Sequence, residues 1–206
     1  SVDLDDESAA ALLDRDAYYD EESGQKFRSE PYGLPINVKE PTFSEGPTKL
    51  TLEDISSNFN AFMRTVYWKR DISKYVDVTQ LARFMMVNEL ILNYEFYHPK
   101  STFCYRESFE SDTSKYVFGP VWDLDWAYGY ERYGNYFRKE ATNNYWIDCP
   151  NMEVVEFIRD LRFKYEPLSD IYKTLWEQFM ENDLTELLEY CQDYYDFAKN
   201  SFKDNS

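Results

Sequence analysis

Residues 93–131 read NYEFYHPKSTFCYRESFESDTSKYVFGPVWDLDWAYGYE, and the fold is decided there. A strongly apolar helical run ends in this stretch and gives way to a polar turn. Residues 102–107 and 115–121 then alternate as two short strands around a polar link, 108–114. Together they predict a hairpin over 102–121. After the second strand the chain carries Trp122, Asp123, Leu124, Asp125 and Trp126 into a loop rich in Gly and Tyr. At a strand end, positions i and i+2 share a face, so two carboxylates there repel unless a cation or a base joins them. Asp123 and Asp125 are therefore candidate metal ligands. A surface loop of acids, or an Asp capping the next turn, is the competing reading.

Working outward, residues 77–95 (DVTQLARFMMVNELILNYE) predict a helix opened by Asp77, with Gln80 placed for a capping box. From Phe84 to Leu92 it is apolar nearly all round, as in a helix buried on most sides. Asn88 and Glu89 interrupt that run and need hydrogen-bond partners if buried. Upstream, Leu52, Ile55, Phe59, Phe62, Met63 and Val66 form one helical stripe behind Thr51 as N-cap. Downstream, three more helices are expected: one capped by Asn151, one opened by Pro167, and one carrying Leu184, Leu187, Leu188, Cys191, Tyr194, Tyr195, Ala198 and Phe202. These three read as a scaffolding bundle, with Cys191 in its core. Residues 1–50, with Pro31, Pro35, Pro41 and Pro47, read as an irregular lead-in that wraps the body or links to an upstream lobe. Residues 51–206 then form a helical lobe, giving an α+β, mainly helical chain.

Composition narrows the partners. The 206 residues carry 39 acidic and 22 basic side chains, a formal net charge of −17. Such a surface repels the phosphate backbone of nucleic acid and anionic membranes. It suits divalent cations, basic proteins and neutral glycans. No run approaches the roughly 18 apolar residues of a transmembrane segment. Cys104, Cys149 and Cys191 lack metal-like spacing, and His98 has no second histidine to make a zinc site.

The strings YGLPINVK (32–39), 77–95, HPKSTFCYRE (98–107) and FGPVWDLDWAYGYE (118–131) resemble the C-terminal half of the CotH kinase family, the spore-coat-protein-H-like atypical kinases. The resemblance runs roughly from Pro31 to Tyr130, and its HPKS form resembles the Bacteroides-like branch. It implies a protein-kinase-like C-lobe that uses ATP with Mg or Mn to phosphorylate a protein hydroxyl, on a secreted or cell-surface protein. Asp123 is similar to the metal-binding aspartate of the family, with Asp125 a second ligand or its support. Glu95 stands where the family has a catalytic Asp and is, with Asn93, a candidate catalytic residue, and Ser101 stands where the family has a metal-binding Asn. Lys100 is placed for a phosphate. The family's nucleotide-binding N-lobe is expected to be absent, which makes this chain alone incomplete or inactive. The order of acid, hairpin and metal-binding Asp follows ordinary protein kinases.

Two other readings of these residues remain open. Six aromatics crowd 126–137 (WAYGYERYGNYF). Trp126, Tyr128, Tyr130 and Tyr133 could stack on a glycan in a noncatalytic binding module, or pack a long loop onto the bundle. A metal-dependent glycosyl-transferring or hydrolytic enzyme would use the Asp-x-Asp, but no βαβ pattern accompanies it.

Overall fold

The computed structural model describes residues 11–15, 24–93, 102–129 and 152–204. It is α+β: a five-stranded antiparallel sheet in the order β2-β3-β1-β4-β5, covered by helices. Three strands come from the first fifty residues: β1 (Ala11–Arg15), β2 (Lys26–Arg28) and β3 (Pro35–Glu40). The irregular lead-in expected over 1–50 is thereby corrected. These strands are three to six residues long, too short for a clear alternation. They are held by partners far off in sequence. β1 is the centre of the sheet, with Leu13 opposite Val38 on one side and Cys104 on the other. Pro35 is tolerated because it is the first residue of its strand.

The expected hairpin is present as β4 (Thr102–Arg106) and β5 (Val117–Phe118), with Cys104 opposite Phe118. It is the far edge of the larger sheet rather than an isolated ribbon. β5 is shorter than expected because Gly119 has φ +135 and Pro120 has no N–H to continue a ladder. Arg106, buried at the end of β4, folds the polar link back on itself. Its guanidinium donates to the Ser108 and Ser111 carbonyls and to Asn58 Oδ1 at 3.0, 3.3 and 2.8 Å.

Helix α1 (Leu52–Tyr67) has the expected cap as a full capping box, in which the Thr51 hydroxyl accepts from Asp54 N and the Asp54 carboxylate accepts from Thr51 N. Ile55, Phe59, Phe62, Met63 and Val66 are its buried stripe. Phe62 stacks on Tyr116 at 5.8 Å, and Phe59 meets the same ring edge-on. Helix α2 (Val78–Leu90) is capped by Asp77, whose side chain accepts from Gln80 N. Gln80 does not complete a capping box. Its amide reaches across to the Phe118 carbonyl at 2.7 Å and fastens the helix to β5. The helix is buried through Leu81, Ala82, Phe84, Met85 and Asn88, while Val87 is exposed, so its apolar run is less enclosed than expected.

The carboxy-terminal segment is α3 (Met152–Arg159), a π-turn (Asp160–Lys164), α4 (Glu166–Gln178), a second π-turn (Phe179–Asp183) and α5 (Leu184–Asp204). Pro167 sits in the first turn of α4, as expected. α4 lies along α2 and buries Leu168 and Tyr172. α5 departs from the expected bundle: Leu188, Tyr190, Tyr194, Tyr195 and Phe197 are exposed, Phe197 at 82%. Cys191, expected in the core, is exposed too. An apolar stripe marks the face a helix would bury but carries no information about what covers it. Among the described residues no helix is long and apolar enough to cross a membrane.

Candidate functional site

The exit of α2 is a Schellman turn built without glycine. Leu92 adopts the left-handed conformation at φ +48, Asn93 N–H donates to the Asn88 carbonyl at 2.9 Å, and Leu92 N–H donates to the Glu89 carbonyl at 3.0 Å. Leucine gives this conformation no help, because its Cβ crowds the following carbonyl. A side-chain lock compensates: Asn93 Nδ2 donates to Asn88 Oδ1 at 2.7 Å, and Asn88 Nδ2 donates to the Phe84 carbonyl at 2.8 Å. Both asparagines are buried, Asn88 to 2% and Asn93 to 3% exposure. The partners that sequence reasoning required for Asn88 are thus on its own helix and its exit.

Glu89 finds its partner on α4. The Tyr172 hydroxyl donates to the Glu89 carboxylate, and the Arg162 guanidinium lies 3.5 Å from the Tyr172 ring centroid. Burial, then the neighbouring Glu89 charge, hold the Tyr172 hydroxyl well above the usual tyrosine range, with Arg162 opposing. The phenol therefore stays a donor. Arg162 owes its place to the first π-turn, since α3 and α4 are joined through it. No sequence signal pointed to Tyr172 or Arg162 beyond the need of Glu89 for a partner.

The acid-bearing segment is anchored at both ends. Gly119 N–H donates to the Phe103 carbonyl at 3.0 Å, and Tyr128 N–H donates to the Ile91 carbonyl at 2.7 Å. The second bond joins this segment directly to the Schellman turn of α2. Between the anchors the strand has ended. Asp123 has φ +57 and is half-buried in irregular backbone, and residues Leu124–Gly129 form a 3-10 helix. The expectation that Asp123 and Asp125 share one face of a strand is therefore corrected. The left-handed residue is Asp123 itself, which turns the chain before Asp125, and aspartate tolerates that conformation better than most side chains. Tyr128 is also left-handed, at φ +54, which is uncommon for an aromatic residue. Its ring is 68% exposed, Trp122 is 59% exposed, and Leu124 lies between them in solvent contact.

Of the residues proposed from sequence, Asn93, Asp123 and Tyr128 are placed as above. Glu95, Lys100, Ser101, Tyr130 and Tyr133 lie outside the described residues, as do the side chains of Asp125 and Trp126. Among the described residues no group of three or more His, Cys, Asp or Glu is assembled to hold a metal. The donor set that sequence assigns, two aspartates and a serine, is made of hard oxygen atoms and suits Mg²⁺ or Mn²⁺ rather than a soft thiophilic ion.

The family model described as CotH kinase protein matches residues 7–206. The chain belongs to the CotH kinase family. The match extends past both ends of the resemblance read from the motifs, to take in β1 and all the carboxy-terminal helices. No curated protein matches the chain, and no solved structure does. Membership in a kinase family implies a protein substrate and makes ATP with a divalent cation the working hypothesis for its chemistry.

Proposed function

We propose that this CotH-family chain carries the catalytic lobe of an atypical protein kinase that moves the γ-phosphoryl group of ATP to a protein hydroxyl. The observation that supports this reading most is the Tyr128 N–H to Ile91 carbonyl bond. It holds the Asp123 segment against the exit of α2, from which the chain leads to Glu95, so both parts of a phosphoryl-transfer site start from one joint.

Glu95 is the base in this reading. The attacking hydroxyl oxygen forms its bond to the γ-phosphorus while its proton passes to the Glu95 carboxylate. The bond from the γ-phosphorus to the bridging oxygen breaks, and ADP leaves with the electron pair. Asp123 and Asp125, with Ser101, would hold the divalent cation, which when bound supplies charge neutralisation at the nucleotide phosphates. Lys100 would pair with a phosphate oxygen. Asn93 shapes the backbone from which Glu95 departs. Glutamate has one more methylene than aspartate, so the same chemistry needs the attacking hydroxyl slightly farther from the backbone.

Calorimetric titration of the chain with ATP in the presence of Mn²⁺ tests the proposal. Saturable binding is expected, weakened at least about tenfold by Asp123→Ala, as expected when a carboxylate ligand is lost. Equal binding by both proteins, or none by the unsubstituted chain, would overturn it.

A further inference from the structure

Nothing in phosphoryl transfer itself calls for a left-handed leucine locked by two buried asparagines. Asn88 lies on the face of α2 that also buries Leu81, Phe84 and Met85. An apolar residue of similar size would suit that face at lower cost, since a buried amide must satisfy all its polar atoms. Asn88 does satisfy them, and its Oδ1 acceptor is used on a residue beyond the helix end, Asn93. The Schellman motif ordinarily carries an apolar contact between these two positions. Here a hydrogen bond replaces it, and a hydrogen bond is directional where an apolar contact is not.

Direction matters because of the carbonyl between them. Ile91 is the last helical cap residue, and its oxygen has no acceptor role inside α2. Its orientation follows from the conformation of Leu92, the next residue. With Leu92 left-handed, that oxygen receives Tyr128 N–H at 2.7 Å. If Leu92 relaxed to the right-handed or extended regions, the peptide plane would rotate and the bond would be lost. Tyr128 also sits at an unfavourable positive φ, so both sides of this one bond are held in conformations their side chains resist.

We propose that Asn88 is a positioning residue: by locking Asn93 it keeps Leu92 left-handed, aims the Ile91 carbonyl at Tyr128, and so couples the exit of α2 to the Asp123 segment. Its effect on nucleotide rests on the kinase reading above; its effect on the joint does not.

The two are separated by measuring both in the same proteins. Hydrogen–deuterium exchange, resolved to single amides by NMR, is followed in the unsubstituted chain, in Asn88→Ala and in Asn93→Ala, which cuts the same bond from the other side, beyond the helix end. The Tyr128 amide is expected to exchange about tenfold faster or more in each variant, while the amides pairing β1 with β3 and β4 keep their protection, as for a local opening. Mn²⁺–ATP affinity is expected to fall at least about fivefold in the same variants, a loss typical of residues that orient a ligand without touching it. Faster exchange at Tyr128 with no nucleotide binding in any protein would uphold the joint and sink the kinase reading. Unchanged Tyr128 exchange in either folded variant, or protection lost equally across the sheet, would overturn the positioning role. Should Asn88→Ala not fold, Asn93→Ala decides by the same criterion.

Discussion

Removing the hydroxyl of Tyr32 should measurably destabilise this fold. It donates at 2.7 Å to Asp160 Oδ2, across 128 residues of sequence, and joins the turn before β3 to the first π-turn. Asp160 is itself buried, and its other oxygen pairs with Lys164 Nζ at 2.5 Å. Tyr32→Phe removes only the oxygen. The ring stays, and so do its edge contacts to Phe157 at 5.4 Å and Tyr67 at 5.8 Å. The loss is thus one hydrogen bond to a buried carboxylate. A hydrogen bond to a charged group contributes about 1.5–3 kcal/mol, and the buried acceptor is left short of a donor. We expect destabilisation of about 2 kcal/mol, or a fall in Tm of about 4–8 °C for a chain of this size. Urea unfolding followed by tryptophan fluorescence measures it. The cycle with Asp160→Asn isolates the pair, and a coupling of at least about 1 kcal/mol is expected for residues in one network. A Tyr32→Phe cost below about 0.5 kcal/mol, the range of an ordinary surface change, would refute this account.

Two further outcomes follow from the same structure. Thr51→Ala removes the hydroxyl that caps α1 and should cost about 1 kcal/mol, read as a shift of the urea midpoint without a change in slope. In strong alkali the chain should lose stability steeply. Burial above all holds the Tyr32, Tyr116 and Tyr172 hydroxyls above the ordinary value of 10.0. The raised folded values mean their contribution is complete below pH of about 10 and lost above it, as the unfolded chain alone releases these protons. Each adds a slope of about 1.4 kcal/mol per pH unit. Tyrosinate absorbance measured together with unfolding should show these three ionising only as the chain unfolds.

What the amino-acid sequence by itself determined is what nearest neighbours along the chain encode. The stripe from Ile55 to Val66 and the caps at Thr51 and Asp77 rest on spacings of three or four residues, and β4 and β5 are consecutive strands joined by one polar link. Four local strings, WDLDWAYG the most specific of them, carried the resemblance to the family that the match over residues 7–206 shows. Tertiary structure alone decided the rest. Leu13 lies between Val38 and Cys104 because a sheet pairs segments by register across distance, and three-residue β2 has no periodicity to announce it. The stripe on α5 predicted a helix but not that Leu188 and Phe197 would be exposed. At the site, Asp123 and Asp125 looked like strand neighbours, but Asp123 is left-handed and a 3-10 helix begins at Leu124. Glu89 announced a need that Tyr172, on another helix, met. The joint at Leu92 was invisible for a related reason. Glycine marks a left-handed turn in composition, whereas a leucine forced into one is held there by Asn88, Asn93 and Tyr128 together, a constraint that exists only once the chain has folded.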